Sequence, residues 1–346
     1  MPNRNPFLFA GQTIEGGTRR TVEVPVSLLS DHTPVNLSVH VIHGKRAGPT
    51  VFVSAAVHGD EVMGVEITRR LLQSDLLGRL RGTLLVVPIV NTFGFHSRSR
   101  YLPDRRDLNR SFPGSSEGSL ASRLAGIFLE KVVKRCDLGI DLHSAAIHRT
   151  NLPQVRVSPG NAKTMALAEV FGAPVILRSP LRDGSLRAEA KAAGVDVLLY
   201  EAGEGLRFDE MAARAGVAGI LRVLRFMDML PAKGIAKARV KPLLCQSSRW
   251  VRASAGGLLR TYRGDGDVVV AGDVLATVSD PFGEKWVDVL APSAGIIIGR
   301  AVLPVVHEGD AVFHLAEVRH DDPAQAVEDI AEQLESSPLF DEDEII

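Results

Sequence analysis

Apolar runs long enough for buried strands alternate with segments of helical periodicity along the first two thirds of the chain. The predicted strands cover 51–57, 83–90, 138–144, 174–178 and 195–203. The predicted helices lie near 62–77, 119–135, 162–171, 185–193 and 207–229. Strands covered on both faces have continuous apolar runs, so this alternation predicts an α/β fold with a mainly parallel sheet and helices on both faces.

The sequence pattern is different on either side of this region. Residues 20–43 alternate between apolar and polar around the turn SDHTP, which predicts a β-hairpin at an edge of the sheet. From about 245 to 318, short β segments and Gly-Asp turns without helical periodicity indicate a compact all-β module. The remaining stretch is rich in acids and predicts a surface helix followed by a tail. We therefore expect an N-terminal hairpin (1–44), an α/β domain (45–232), a C-terminal β module (233–318) and an acidic helix and tail (319–346).

The charge and cysteine content exclude some classes of partner. Lysine plus arginine (40) nearly balance aspartate plus glutamate (41), and a net charge of -1 gives no reason to expect nucleic acid or an anionic membrane. Cys136 and Cys245 are too few for a disulfide framework, so both are expected to be buried free thiols. No apolar run reaches 18 residues. We expect a soluble protein of a reducing compartment, the cytoplasm.

Polar side chains suited to metal binding stand where three predicted strands end. His58 and Glu61 follow the first strand in HGDE, His143 ends LGIDLHS, and Glu201 ends VDVLLYE. Functional groups of such folds gather at the carboxyl ends of strands. Zinc in a hydrolase takes three protein ligands, commonly two histidines and a carboxylate, with one position open for water. His58, Glu61 and His143 form such a set, and Asp141 is a candidate orienting group.

The simpler interpretation of HGDE is a polar turn that starts a helix. An isolated His-x-x-Glu is more often such a turn, and only the residues at the other two strand ends favour a metal site. His96 and His148 are competing histidines, which we expect at the surface because neither ends an apolar strand. Asp60 is expected to cap the helix or to support the site rather than to bind metal.

A long polar loop, SRSRYLPDRRDLNRSFPGS (97–115), separates these elements and carries five arginines. Loops of this length in a compact α/β domain are usually functional or disordered. Arginine is suited to bidentate recognition of carboxylates, and a neighbouring asparagine adds a donor and an acceptor. For Arg98, Arg105 and Arg106 we expect simple exposure to solvent.

Four motifs together resemble one known family. They are HGDE (58–61), RDLNRSFPG (106–114), DLHS (141–144) and YEAG (200–203). In this order they are similar to the succinylglutamate desuccinylase/aspartoacylase family, a branch of the zinc carboxypeptidase-like hydrolases, over roughly residues 45–318. The resemblance implies a zinc-carboxypeptidase-like fold and one Zn²⁺ per chain, held by His58, Glu61 and His143.

The resemblance also implies roles for the other residues of the site. Asn109 and Arg110 of DLNR would hold a carboxylate of the substrate, and Glu201 would be the catalytic carboxylate. Arg100 resembles the family arginine that stabilises the developing oxyanion, although two extra residues separate it from DLNR relative to some members. Arg187, in GSLRAEA, resembles a further arginine that contacts the substrate.

The C-terminal module resembles the barrel-sandwich hybrid of biotinyl and lipoyl carrier domains. Gly-Asp turns lie at 264–267, 272–273 and 309–310, and an APxxG turn lies at 291–295. Lys285 is near the place of a carrier lysine, but its surroundings, PFGEKWVD, lack the flanking residues of a modification site. We expect the module to pack over the catalytic domain and narrow access of the substrate.

These residues predict a zinc-dependent amidohydrolase that removes an acyl group from a small N-acylated amino acid or related carboxylated amine. Glu201 is the expected general base, and Glu204, past the glycine, is the alternative. A zinc carboxypeptidase acting on short peptides or cell-wall fragments would use the same residues and is the alternative function. A non-catalytic binding or carrier protein is a more remote one. The sequence leaves the acyl group open, and it leaves a homo-oligomer as an option.

Overall fold

The computed structural model describes residues 4–238 and 241–318, so the predicted acidic helix and tail lie outside the described residues. The α-helices are α1 (Met63–Gln73), α2 (Thr92–Ser97), α3 (Leu120–Lys131), α4 (Ala162–Phe171), α5 (Leu186–Ala192) and α6 (Glu210–Phe226). The strands of the first two thirds are β1 (Phe7–Phe9), β2 (Gln12–Ile14), β3 (Thr18–Leu28), β4 (Pro34–His43), β5 (Arg46–Ala55), β6 (Arg81–Val87), β7 (Leu138–His143), β8 (Arg149–Asn151), β9 (Gln154–Val157), β10 (Val175–Arg178) and β11 (Asp196–Glu201). The later strands are β12 (Leu243–Arg252), β13 (Gly257–Thr261), β14 (Val268–Val269), β15 (Val274–Ser279), β16 (Trp286–Leu290), β17 (Gly295–Ala301), β18 (Val305–Val306) and β19 (Ala311–Val318).

One large mixed sheet organises the described part of the chain. Its strands follow the order β14-β17-β19-β12-β10-β9-β11-β7-β5-β6-β4-β3, and β8 pairs with β17. The strands β6, β5, β7 and β11 are mutually parallel, as are β9, β10 and β12, and the two sets meet at the antiparallel β11–β9 pair. The predicted α/β fold with a mainly parallel, mixed sheet is confirmed.

Two apolar cores cover the two faces of this sheet. On β5, Val51 and Val53 belong to one core, while Phe52 between them belongs to the other. The first core also holds α1, α4 and α6, and the second holds α3 and α5. Each central strand therefore buries both of its faces, which explains its continuous apolar sequence. Gly139 of β7 is needed here, because a Cβ at that position would lie 2.1 Å from the ring of Phe52.

Most predicted elements are present near their predicted positions. The hairpin predicted over 20–43 is β3 and β4, with β3 at the sheet edge. Helices α1, α3, α4, α5 and α6 lie within the predicted helical segments. The short elements α2, β8 and β9 were not predicted from the sequence pattern.

The region from 241 to 318 is built of strands, as predicted, but it is joined to the α/β sheet by backbone pairing. The strand β12 pairs in parallel with β10 at its start (Val175↔Leu243) and with β19 from Cys245 onwards. The strand β17 pairs with β8. A second sheet of the order β16-β15-β13-β18 completes the module. Two strand pairings therefore fix the C-terminal module relative to the α/β domain.

Both cysteines are buried free thiols, as predicted. Burial raises the pKa of Cys136, and it raises the pKa of Cys245 to about 12. Within the described residues, none of the α-helices combines the length and apolar character needed to cross a membrane.

Candidate active site

The carboxyl ends of β5, β7 and β11 meet at one edge of the sheet. The strand β7 ends at His143 and β11 ends at Glu201, and these two residues are direct partners in the parallel register. The strand β5 ends at Ala55, and the chain continues for three residues to His58 before α1 begins. The sheet therefore brings together the residues that the sequence placed at strand ends.

The turn after His58 is held against helix α2. A Cβ at Gly59 would lie 1.9 Å from the carbonyl carbon of Gly94, so only glycine fits at this contact. Helix α1 has Val62 as its N-cap, without a side-chain cap, and the expectation that Asp60 caps the helix is wrong. Asp60 is buried, and its Oδ1 has no hydrogen-bond partner.

Three buried side chains lie in an arrangement that could hold a metal ion. The Nδ1 atom of His58 lies 2.6 Å from Oε1 of Glu61, and Nδ1 of His143 lies 2.7 Å from Oε2 of the same carboxylate. One ligand atom from each residue lies within 4.8 Å of those of the other two. Two imidazole nitrogens and a carboxylate are a ligand set that zinc prefers.

Each histidine is also held from behind by a carboxylate. The Nε2 atom of His143 lies 2.8 Å from Asp141, which accepts a second hydrogen bond from Ser54 Oγ at 2.7 Å. The Nε2 atom of His58 lies 3.2 Å from Asp107. Such partners fix the ring orientation and leave Nδ1 for a metal. Asp141 lies where the sequence predicts an orienting group, whereas Asp107 of the DLNR segment was not singled out.

The charges of this cluster stabilise one another. Burial opposes ionisation of Glu61, but the imidazoles of His58 and His143 hold the pKa of its carboxyl below its usual range. Burial alone would lower the pKa of His143, yet Asp141 and Glu61 raise that pKa well above its ordinary value. The pKa of His58 is raised against burial by Glu61 and Asp107. Glu61 is therefore ionised, which is the form that binds a metal, whereas the two imidazoles would release protons when a metal binds.

Arg100 reaches the cluster from the long polar loop. Its Nη1 lies 3.3 Å from Oε1 of Glu61, and its Nη2 lies 2.9 Å from Oδ2 of Asp107. Burial lowers its pKa, but these two carboxylates outweigh burial and raise it. The structure thus places a guanidinium beside the proposed metal ligands.

The DLNR segment forms a 3₁₀ turn at Leu108–Arg110. The Oδ1 atom of Asn109 accepts a hydrogen bond from the backbone N–H of Leu186 (2.9 Å), which leaves its Nδ2 for other partners. Arg110 is exposed and donates to the backbone carbonyl of Asn109. A Cβ at Gly184 would lie 2.8 Å from the carbonyl oxygen of Arg110, so the turn is packed tightly on the loop before α5. Both side chains of the turn line the pocket described below.

Glu201 has a partner for each carboxylate oxygen. The Nδ2 atom of Asn151 donates to Oε2 at 3.0 Å, and Nη1 of Arg156 lies 3.3 Å from Oε1. The alternative base, Glu204, is not among the residues that line the pocket and accepts a hydrogen bond from the backbone N–H of His148 (3.2 Å). Asn151 and Arg156 lie on β8 and β9, two short strands that the sequence pattern did not predict.

A pocket of about 700 Å³ opens above these groups, within the range typical of small-molecule sites. Residues of β12 and β19 form part of its wall, and they are Gln246, Ser247, Ser248, Trp250 and His314. The rings of Trp250 and His314 stack with centroids 4.4 Å apart, and the guanidinium of Arg149 lies 4.9 Å from the Trp250 ring. The C-terminal module therefore contributes directly to the pocket.

The pocket is rich in positive charge. Its lining includes seven arginines and three carboxylates: Arg100, Arg110, Arg149, Arg156, Arg178, Arg182, Arg187, Glu61, Asp141 and Glu201. Three buried nitrogens in the lining have no hydrogen-bond partner: Nε of Arg178, Nη1 of Arg187 and Nδ1 of His314. Burial and Arg156 lower the pKa of Arg187 to about 10, so it stays charged at neutral pH. Burial and nearby arginines lower the pKa of His314 to about 3, so its imidazole is neutral.

The remaining candidates lie outside this pocket. His96, His148, Lys285 and the three other loop arginines (Arg98, Arg105 and Arg106) are exposed, and none lines the pocket. A larger groove of about 950 Å³ lies near the starts of β5 and β6, with Arg46 and Arg81 in its wall. Among residues 4–238 and 241–318, the group that could hold a metal is His58, Glu61 and His143, and none of these lines that groove.

Known proteins share both the fold and the sequence of this chain. A curated relative, the N-alpha-acetyl-L-2,4-diaminobutyric acid deacetylase of Halomonas elongata, is 28% identical over 289 residues, which cover 78% of this chain and 83% of the relative. The product-bound ectoine utilization protein EutE (DoeB) from Ruegeria pomeroyi superposes with a TM-score of 0.78 at 24% identity, covering 91% of this chain and 97% of that chain.

A third relative is a succinylglutamate desuccinylase/aspartoacylase from Rhodobacter sphaeroides, with a TM-score of 0.77 and 25% identity over 91% of this chain and 97% of that chain. The family model of the succinylglutamate desuccinylase/aspartoacylase catalytic domain matches residues 47–227, more than half of the chain. That range contains His58, Glu61 and His143, the DLNR turn and Glu201. This protein therefore belongs to the succinylglutamate desuccinylase/aspartoacylase family.

Proposed function

We propose that the protein is a zinc-dependent amidohydrolase that removes the acyl group from a small N-acylated amino acid or a related carboxylated amine. The observation that carries this proposal is the cluster of His58, Glu61 and His143 in the wall of the pocket that also holds Glu201. The match to a desuccinylase/aspartoacylase catalytic domain and the name of the Halomonas elongata relative support a deacylase.

The donor set fits one zinc ion per chain. The two Nδ1 atoms face a single carboxylate, and carboxylates hold both Nε2 atoms from behind, as expected for metal-binding imidazoles. His58, Glu61 and His143 would hold the ion. Zinc, when bound, supplies a Lewis acid that lowers the pKa of water from 15.7 to about 7.

Glu201 and Arg100 would carry the acid–base and electrostatic steps. Because Asn151 holds Oε2 of Glu201 at 3.0 Å and Arg156 approaches Oε1 less closely, at 3.3 Å, we assign proton transfer to Oε1, which would take a proton from the attacking water and return it to the departing amine nitrogen. Arg100 would donate hydrogen bonds to the oxyanion that develops on the carbonyl oxygen. One such donor is worth roughly 3–4 kcal/mol in the transition state.

The remaining arginines favour an anionic substrate. Nδ2 of Asn109 and the guanidinium of Arg110 would hold one carboxylate and so orient the amide bond for attack. The other arginines of the pocket, with unpartnered nitrogens on Arg178 and Arg187, would accommodate a second anionic group. We therefore propose substrates with two or more carboxylates, such as N-acyl derivatives of acidic amino acids or amides with a dicarboxylic acyl group. The amino group of 2,4-diaminobutyrate would meet like charge in this pocket.

The test combines metal analysis with a substrate panel. The panel contains N-acetyl-L-aspartate, N-acetyl-L-glutamate, N-succinyl-L-glutamate, N-acetyl-L-2,4-diaminobutyrate, N-acetyl-L-alanine and the dipeptide Ala-Glu. We expect one zinc per chain, hydrolysis of the amides with two or more carboxylates, and slower hydrolysis of the diaminobutyrate derivative. Preference for the dipeptide would instead support the carboxypeptidase alternative.

The Glu201→Gln variant tests the chemical step. Loss of the general base is expected to lower kcat by about 10²–10⁴-fold while zinc remains bound. Glu204→Gln is the matched control, because Glu204 is three residues beyond the end of β11 and outside the pocket lining. Full activity of the Glu201→Gln variant would contradict the proposal, and so would activity of the purified wild-type protein without any metal.

A further inference from the structure

Asn151 connects the proposed base to the rest of the fold. It lies on the three-residue strand β8, and its side chain donates to Oε2 of Glu201 at 3.0 Å. Its backbone N–H donates to the carbonyl of Gly203 at 3.2 Å, and its carbonyl accepts from the N–H of Gly203 at 2.8 Å. Gly203 is two residues beyond Glu201, so this pairing fixes the backbone of Asn151 relative to the carboxylate that its amide contacts.

The opposite side of β8 pairs with the C-terminal module. In the antiparallel register with β17, Asn151 faces Gly299 and Thr150 faces Arg300. A Cβ at position 299 would lie 2.6 Å from Oδ1 of Asn151 and 2.8 Å from the carbonyl oxygen of Thr150. The absence of a side chain at Gly299 therefore leaves room for the amide of Asn151, with Oδ1 against β17 and Nδ2 directed to Glu201.

We infer that Asn151 is a positioning residue for Glu201, and that β17 of the C-terminal module sets the position of Asn151 through Gly299. This inference rests on the proposed role of Glu201 as the base. The module then does more than cover the pocket, because it determines the orientation of a carboxylate in the α/β domain.

The competing partner of Glu201 gives the physical reason for such a contact. Nη1 of Arg156 lies 3.3 Å from Oε1, and a guanidinium can bind both oxygens of a carboxylate in a fork. While Asn151 holds Oε2, Arg156 can engage only Oε1. Arg156 contacts Oε1 in either case, but without Asn151 the carboxylate can turn so that both oxygens meet Arg156, and fewer molecules would then have Oε1 oriented towards the attacking water.

Steady-state kinetics of Asn151→Ala test the positioning role, with the fastest substrate of the panel above. Loss of one hydrogen bond to a charged group is expected to lower kcat by about 10- to 100-fold, with KM changed by less than about twofold. Thr150→Ala is the matched control on the same strand, since the Thr150 side chain bonds to Asp265 rather than to Glu201. Its kcat should remain within about twofold of the wild type.

Glu201→Gln in the same assay distinguishes a failure of the positioning role of Asn151 from a failure of the proposed function. If Glu201→Gln loses activity while Asn151→Ala keeps the wild-type kcat, the inference about Asn151 is overturned and the proposed function stands. If Glu201→Gln keeps full activity, the proposed function itself fails.

A double-mutant cycle tests whether Gly299 of the C-terminal module acts on Glu201 through Asn151. Gly299→Ala should lower kcat in the wild-type background and have a smaller effect in Asn151→Ala, because the amide that the new Cβ displaces is then absent and only the Thr150 carbonyl oxygen remains close to it. Additive losses would overturn the coupling between Gly299 and Asn151.

The ¹⁵N-labelled side-chain amide of Asn151 gives a readout without substrate, should Asn151→Ala fail to fold. Its signal, assigned in the wild type, should shift in both Glu201→Gln and Gly299→Ala. An unchanged signal in both variants would contradict the inference.

Discussion

The two halves of the pocket are built in opposite ways. One half, called the metal-binding half for its proposed role, consists of His58, Glu61 and His143. These side chains are buried, and each ring nitrogen of both histidines lies within hydrogen-bond distance of a carboxylate. In the arginine-rich half, buried nitrogens of Arg178 and Arg187 have no partner. In the metal-binding half, every ring nitrogen already has a protein partner. In the arginine-rich half, two buried N–H donors remain available to a ligand.

This difference indicates which half is fixed and which half selects the substrate. An unpaired buried donor costs free energy unless a bound group satisfies it, so an anionic ligand would stabilise the arginine-rich half. The metal-binding half stands at the ends of the central strands, while the arginine-rich half uses β8, β9, β10 and the C-terminal module. The reaction would thus depend on the central sheet and the choice of substrate on the elements at its periphery.

Removing a metal ligand should have the largest effect. His143→Ala takes one imidazole from a set of three, and we expect the bound zinc to fall from one per chain to nearly none. Since Lewis-acid catalysis contributes several kcal/mol to transition-state stabilisation, kcat/KM should fall by about a thousandfold or more. Metal analysis of the purified variant and hydrolysis of the best panel substrate measure both quantities.

His96→Ala is the matched control for that variant. His96 is exposed on α2 and lies outside the pocket, so the variant should bind one zinc and keep wild-type activity. A His143→Ala protein that melts like the wild type and still binds stoichiometric zinc would show that His143 is not a ligand.

Changing the hydrogen-bond partner of a proposed metal ligand should have an intermediate effect. Asp141→Asn keeps the size of the side chain but removes the charge that faces Nε2 of His143 at 2.8 Å. Loss of such a partner typically lowers metal affinity by about 10- to 100-fold. Competition with a chelator measures this, and Asp288→Asn, which neutralises an exposed carboxylate of the module, should have no effect. Equal affinities for the Asp141→Asn and wild-type proteins would mean that the metal-binding half does not depend on its internal contacts.

The sequence predicts the metal-binding half well because its signals are local. His143 and Glu201 each end an apolar run, and such runs pair side by side in a parallel sheet, so their proximity follows from the pattern. Asp107 lies in the same quoted motif as Asn109, yet it was missed, because its partner His58 is 49 residues upstream. Gly59 is required for the contact with α2, a six-residue helix that the sequence pattern did not predict.

The arginine-rich half could not be predicted in the same way. Asn151 and Arg156 lie on strands of three and four residues, which are too short to produce a clear period in the sequence. Trp250 and His314 reach the pocket because β12 and β19 pair with each other across a long separation in sequence. Since these contacts depend on tertiary pairing, composition and spacing carry no signal for them.

Removing one arginine of the arginine-rich half should have the smallest effect, and the size of this effect should depend on the substrate. Arg178→Ala removes a guanidinium that donates to Gln246 and has a buried Nε without a partner. We expect KM for N-succinyl-L-glutamate to rise about tenfold, because one charge-assisted hydrogen bond is worth about 1.5 kcal/mol. For N-acetyl-L-alanine, which has a single carboxylate, KM should change by less than about twofold, and kcat should change little for either substrate.

The ratio of the two KM values distinguishes a specific contact with the substrate from a general change in the electrostatic potential of the pocket. Arg249→Ala is the matched control, because Arg249 lies on β12, pairs with Glu317 and is not part of the pocket lining. It also removes one positive charge, but it should leave the ratio unchanged. If Arg178→Ala raises KM equally for both substrates, Arg178 does not contact a second anionic group. The arginine-rich half would then attract anions in general, and the choice among them would have to come from the shape of the pocket rather than from its charges.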